Sequence, residues 1–229
     1  MPELDLDVLY FFNQFAGTSP FFDRLVLQIS NNNLLKGGLF SALILYFWFF
    51  KKHAVAERQR ILAGLIGCMV TMLTARLLAK GLPMRLRPKH DESLDFTLPS
   101  GANISLLDGH SSFPSDHAAL FFALATLIFS ISRRVGVAAY LYVIVFICIP
   151  RIYLGLHFFS DLVAGGLLGI TIVLIMNIRQ VRFAVSRQFL SWERDYSGVF
   201  YAFFFLILFQ ISTLFEELRA MASFAGKNF

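Results

Sequence analysis

The 229-residue chain is 57% hydrophobic, with a mean hydropathy of +0.65 and a formal net charge of +5. Soluble domains run at roughly 45–50% apolar, so the composition excludes a soluble globular protein and points to an integral membrane protein, in which 27 phenylalanines suit lipid-facing helices. The charge is not a nucleic-acid footprint, because the basic residues fall in short clusters between apolar runs and leave no soluble basic face.

From the N-terminus, Leu4 to Ala16 and Phe21 to Ile29 are apolar but interrupted by Asp5, Asp7, Asn13, Asp23 and Arg24, with Gly17-Thr18-Ser19-Pro20 between them. This pattern predicts two interfacial helices. The acidic start, Met1 to Asp7, has no basic region before an apolar core, so no cleaved leader is expected. Six spans then follow: Leu34 to Phe50, with Lys36 snorkelling at its end, Ile61 to Ala79, His117 to Ile131, Val135 to Ile149, Asp161 to Ile178 and Val199 to Phe215. The reading is an all-α membrane bundle of about six helices forming one domain over 1–229. Cys68 and Cys148 lie inside spans and read as small apolar residues, not as a disulfide or a metal pair. Gly165, Gly166 and Gly169 mark the fifth span as one that packs closely.

Between spans, Lys51, Lys52, Arg58 and Arg60 form one basic loop, Arg133 and Arg134 a second, and Arg179, Arg182, Arg187 and Arg194 a third. Alternating helices put all three on one side, which the positive-inside rule makes cytoplasmic. The long polar stretch from Lys80 to Asp116 and the tight segment from Pro150 to Ser160 then share the outer face. A loop of that length is more than a connector.

Three groups on that face carry chemistry. Lys80 and Arg87, with six residues between them and Pro88 following, leave the second span as converging cations; alone they would be ordinary snorkelling side chains, as Arg85 and Lys89 are read to be. Pro114-Ser115-Asp116-His117 opens the third span, with Ser115 as helix cap, amides facing an anion and His117 placed to donate a proton. Alone this is a routine helix start, and His110 nearby is a solvated residue. Arg151, His157 and Asp161 form the third group, in which a helical spacing of four lets the carboxylate hold one ring nitrogen and free the other to attack. Alone, Asp161 would merely cap a helix. Together they give Lys80, Arg87 and Arg151 as phosphate clamps, Ser115 with the amides as a cradle, His117 as acid and His157 as nucleophile; ionisable clusters at a membrane edge are costly enough to indicate function.

In order and spacing these groups resemble the type 2 phosphatidic acid phosphatase superfamily, whose signature is K-x6-R-P, P-S-G-H and S-R-x5-H-x3-D. The chain reads K-G-L-P-M-R-L-R-P at 80–88, P-S-D-H at 114–117 and P-R-I-Y-L-G-L-H-F-F-S-D at 150–161, and the resemblance covers about 60–178. Asp116 replaces the glycine and Pro150 the serine. The resemblance implies that Asp116 is tolerated, as in bacterial members acting on polyprenyl pyrophosphates, with its backbone amide left for phosphate, whereas Pro150 removes a hydroxyl and an N–H. It also implies a metal-independent reaction through a phosphohistidine, with no cofactor, and no Asp-rich or His/Cys cluster in the sequence offers a metal cage. The expected substrate is a lipid phosphate, with undecaprenyl pyrophosphate first and phosphatidylglycerophosphate, phosphatidate or lipid A as alternatives. A lipid phosphotransferase would use the same residues, while a proton-relay transporter would place its charges mid-span. The expected location is the bacterial inner membrane with the site facing outward, in contact with membrane lipids and no nucleic acid; the oligomeric state stays open.

Overall fold

The computed structural model describes residues 2–50, 55–105 and 107–216; Lys51 and Lys52 of the first basic cluster lie outside the described residues. These residues form ten α-helices and no strand. Short helices α1 (Glu3–Asn13) and α2 (Pro20–Asn31) precede α3 (Leu39–Phe50), α4 (Val55–Gly81) and, after the long loop, α5 (Asp116–Ile131). Helix α6 (Arg133–Tyr142) runs through a π-helical turn into α7 (Ile149–Tyr153), followed by α8 (Phe159–Met176), α9 (Arg179–Asp195) and α10 (Ser197–Ser212).

Among the described residues three helices are long and apolar enough to cross a membrane: α4, the continuous α6–α7 rod and α8. A fourth span results if α2 and the helix from Leu34 to Phe50, bent by 56° at their junction, count as one. Of the six expected spans three or four are matched at that length; α5 and α10 are apolar but 16 residues each, short of the ~20 that a bilayer core asks for. Polar residues set the length of α5, with Ser115 capping its start and Ser132-Arg133 following its end. Neighbouring helices bury nearly all of α5, from Ala118 to Ile128.

Small residues explain how α5 is enclosed. A Cβ on Gly165 would stand 2.3 Å from the Ser115 carbonyl oxygen, and one on Gly169 2.1 Å from that of Ala119. Helices α5 and α8 therefore meet backbone to backbone, as the glycines of the fifth span predicted.

The third basic cluster is a helix and not a loop. In α9, Val185, Ser186, Phe189, Leu190 and Glu193 turn inward at intervals of three and four, an amphipathic pattern hidden by the arginine count. Arg58 reaches Glu193 through two contacts of 2.8 and 3.1 Å, and Tyr201 joins Glu193 to the Trp48 indole, fastening α9 to α3, α4 and α10.

The polar residues that interrupt the N-terminal helices are buried anchors. Asn13 exchanges two hydrogen bonds with the Thr97 backbone at 2.7 and 2.9 Å. Asp23 accepts from the amides of Gly17 and Ser100 and from the Tyr153 hydroxyl. Through these contacts α1 and α2 hold down the loop between α4 and α5.

Candidate active site

Four chain ends meet at one end of the bundle: the end of α4, the starts of α5 and α8, and the turn after α7. The long loop closes on itself there, with the Ser112 amide donating to the Arg85 carbonyl at 2.9 Å and the Arg85 amide to the Ser111 hydroxyl at 3.3 Å. This pairing places Arg87 and Ser112 beside His157.

His157 precedes α8 and is 3% exposed. Its Nδ1 lies 2.8 Å from the Ser112 carbonyl, an acceptor only, so Nδ1 carries the proton and Nε2 holds the lone pair. Arg87 Nη1 stands 3.3 Å from that Nε2 and also donates to the Leu156 carbonyl at 2.7 Å. Asp161 is 3.7 Å from Nδ1, beyond hydrogen-bond range, which revises the expected dyad. The carboxylate is engaged elsewhere: one oxygen accepts the Phe158 amide at the helix start and the other takes Arg85 at 2.6 Å. Burial pushes the His157 imidazole below the ordinary histidine range, and the Arg87 charge adds to that against the upward pull of Asp161. The ring is therefore neutral near pH 7.

Ser115 caps α5 as expected, accepting from the Ala118 amide at 3.3 Å, and its own amide donates to the Asp161 carbonyl at 3.1 Å. The amides of Asp116 and His117 have no partner among the described residues, which leaves them for an anion at the helix start. His117 turns its Nδ1 to the Asp116 carboxylate at 2.8 Å and leaves Nε2 free. Arg76 approaches the other Asp116 oxygen at 3.6 Å. Arg151 is buried, donates to the Ser30 carbonyl at 3.1 Å and lies within electrostatic reach of Asp116 and Arg87. Lys80 is exposed at the last turn of α4 and makes no hydrogen bond or ion pair among the described residues. Of the expected residues, then, Arg87, Ser115, Asp116, His117, Arg151, His157 and Asp161 are joined by hydrogen bonds and charge at this end of the bundle, and Lys80 stands outside those contacts among the described residues.

Several residues read as incidental belong to this region. Arg85 bridges Asp161, Asp5 at 2.7 Å and Ser160 at 2.8 Å while stacking on Phe158 at 4.5 Å. Asp5 of α1, 1% exposed, accepts the Ser160 amide and hydroxyl as well. Burial alone would raise its carboxyl, but the hydrogen bonds from Ser160 and Arg85 outweigh that and hold it below the ordinary range. Lys89 is also buried and donates to the Asn103 carbonyl at 2.9 Å; burial, with Arg87 beside it, pushes its ammonium down to about 8. Lys36 does not snorkel, being 4% exposed on the π-helical turn that leads into α3, with its charge acting on His117. Sequence spacing signals none of these four, because each is brought in by tertiary contact. The one local hint was the cost of a charge within an apolar run.

Buried cations beside a helix start, with the Nε2 of His157 facing Arg87 and the Nε2 of His117 free, form a site for phosphoryl chemistry. Residues 60–184 match the PAP2 superfamily, and the chain belongs to it. It is a membrane phosphatase of the phosphoric ester hydrolases. The chain is similar to lipid A 1-diphosphate synthase of Escherichia coli K12, 28% identical over 182 residues, which cover 75% of this chain and 73% of that protein. It is also similar to the bacitracin transport permease protein BcrC of Bacillus licheniformis, 36% identical over 98 residues, which cover 42% and 46% of the two chains. No solved structure matches.

Proposed function

We propose that the chain hydrolyses a lipid diphosphate at the outer face of the bacterial inner membrane, converting undecaprenyl pyrophosphate to undecaprenyl phosphate and phosphate. The observation that carries the mechanism is the His157 ring, with its proton held on Nδ1 by Ser112 and its Nε2 lone pair facing Arg87. Nε2 attacks the terminal phosphorus, and the bond to the bridging oxygen breaks. His117 passes its Nε2 proton to that oxygen while Asp116 steadies the imidazolium. Water, losing its proton to His117, then attacks the phosphohistidine and releases inorganic phosphate. Arg87, Arg151 and the first amides of α5 stabilise the charge on the transferring group, and the exposed Lys80 closes over it from outside. Asp161 acts through Arg85 and the start of α8, holding the backbone that carries His157.

The diphosphate is favoured by the number of cations gathered here and by the relative whose name includes a lipid diphosphate. That name also favours a second reading, in which a lipid acceptor replaces water in the second step. Transport, named for the other relative, fits less well, because these ionisable residues sit at helix ends and not mid-span. The test is purified protein in detergent with EDTA, offered undecaprenyl pyrophosphate, phosphatidylglycerophosphate, phosphatidate and lipid A beside His157→Ala. Phosphate release from undecaprenyl pyrophosphate by the wild type alone is expected. Full release by His157→Ala, or a strict metal requirement, defeats the mechanism, and transfer to lipid A without phosphate release replaces hydrolysis by the second reading.

A further inference from the structure

Helices α4 and α10 are not packed along their length. Between them opens a cavity of about 750 Å³, walled on α4 by Ile66, Met69 and Leu73 and lined on α9 by Phe189 and Trp192. On α4 its lining runs from Leu62 to Arg76, a rise of ~21 Å at 1.5 Å per residue and some two-thirds of a ~30 Å bilayer core. Arg76 is the one charged residue among the described residues lining it, and it stands at the end nearest the candidate site. Its guanidinium faces one Asp116 oxygen at 3.6 Å, and the other oxygen of the same carboxylate holds His117 Nδ1 at 2.8 Å. The apolar groove thus ends two side chains from the proposed proton donor.

Resting on the proposed lipid diphosphate reaction, we infer that this groove holds the head-proximal part of the substrate's hydrocarbon chain, its diphosphate end at Arg76 and the chain running toward α9. A chain moving from bilayer to groove exchanges one apolar surface for another, so the groove contributes register and not raw affinity. Its ~21 Å reach at 1.5 Å per residue makes the shape of the head-proximal part of the chain the selected feature. Arg76 at the mouth aligns the first phosphate with His117, so seating of the tail and delivery of the leaving oxygen become one event.

The test places bulk deep in the groove. Ile66→Trp and Met69→Trp are compared with Leu77→Trp, which lies on the same helix, is 61% exposed and is outside the groove. Each purified variant, checked for monodispersity, is given undecaprenyl pyrophosphate and dimethylallyl diphosphate, which has the same head group on a single isoprene unit. The two groove variants should lose about tenfold or more in kcat/KM on the long chain. On the short one they should stay within about twofold of wild type, and Leu77→Trp should match wild type on both. Unchanged long-chain turnover in both groove variants, or equal losses on the two substrates, overturns the groove while leaving the phosphatase reading standing. Failure of the wild type to release phosphate from either substrate overturns that reading and the groove with it.

Discussion

Asp5 lies far from the sequence motifs, yet removing it should disable the enzyme. Asp5→Ala deletes acceptors for the Ser160 amide at 2.7 Å, the Ser160 hydroxyl at 2.6 Å and Arg85 at 2.7 Å. Breaking a buried charged network by removing one partner costs roughly 3–5 kcal/mol. Arg85 is 23% exposed, so the lower end, about 3 kcal/mol, applies. Arg85 then keeps Asp161, Ser160 and its stacking on Phe158, and the backbone before α8, having lost the Asp5 anchor on the Ser160 amide, is freed to shift. A displacement of ~1 Å at the reacting atoms costs on the order of 10²-fold in rate. Phosphate release by purified protein should therefore show kcat down by about 10- to 100-fold. Melting followed by tryptophan fluorescence should drop by several degrees. Asp5→Asn, which keeps an acceptor for Ser160 but loses the charge facing Arg85, should fall between, and neither variant should shift the pH profile, since Asp5 exchanges no proton in the reaction. A folded Asp5→Ala enzyme with wild-type kcat refutes this account.

Gly169→Ala should lose stability by at least ~1–3 kcal/mol, as overpacked sites do, and lose activity with it, because its Cβ meets the Ala119 carbonyl; thermal unfolding and turnover check both. His157 is held neutral by burial, so the acid limb of kcat/KM should fall below pH ~6.5, the ordinary histidine value. Removing the Arg87 cation should move that limb upward, and a limb unmoved or lowered in Arg87→Ala contradicts the assignment. Lys80→Ala should raise KM by no more than about fivefold with kcat nearly unchanged, matching an exposed cation worth under ~1 kcal/mol, whereas Arg87→Ala should lose most turnover. A cysteine at the exposed Ser105 should react with an impermeant reagent in intact cells, against a silent background from the buried Cys68 and Cys148; absence of labelling contradicts an outward-facing site.

The helices and the converging groups were legible because both are local signals. Apolar runs mark the helices, and the residues near 87, 117 and 157 sit at helix ends that loops bring together. Span number was less legible, since α5 is as apolar as its neighbours but is enclosed by protein, and hydropathy does not report what surrounds a helix. In α9, arginines on the outer face masked an inward apolar stripe that charge clustering overlooks. The support of the site was the least visible part. Asp5 and Arg85 are 80 residues apart, and nothing local distinguishes a buried bridge from an interfacial charge. Asp161 shows the converse: its spacing from His157 suggested a direct bond, but helix capping claimed the carboxylate first.

The contact of Gly165 and Gly169 with the backbone of α5 sets how freely this enzyme can diverge. Because main chain touches main chain, no side chain can be enlarged or trimmed to widen the crossing of α5 and α8. On the proposed mechanism the crossing works as a fixed gauge, set to one size of transferring group and indifferent to what that group is attached to. Adaptation to a different lipid must then come from surfaces that can vary by repacking, which are the faces of α4 and α10 and the loop before α5. Engineering of specificity would begin there and leave the crossing untouched.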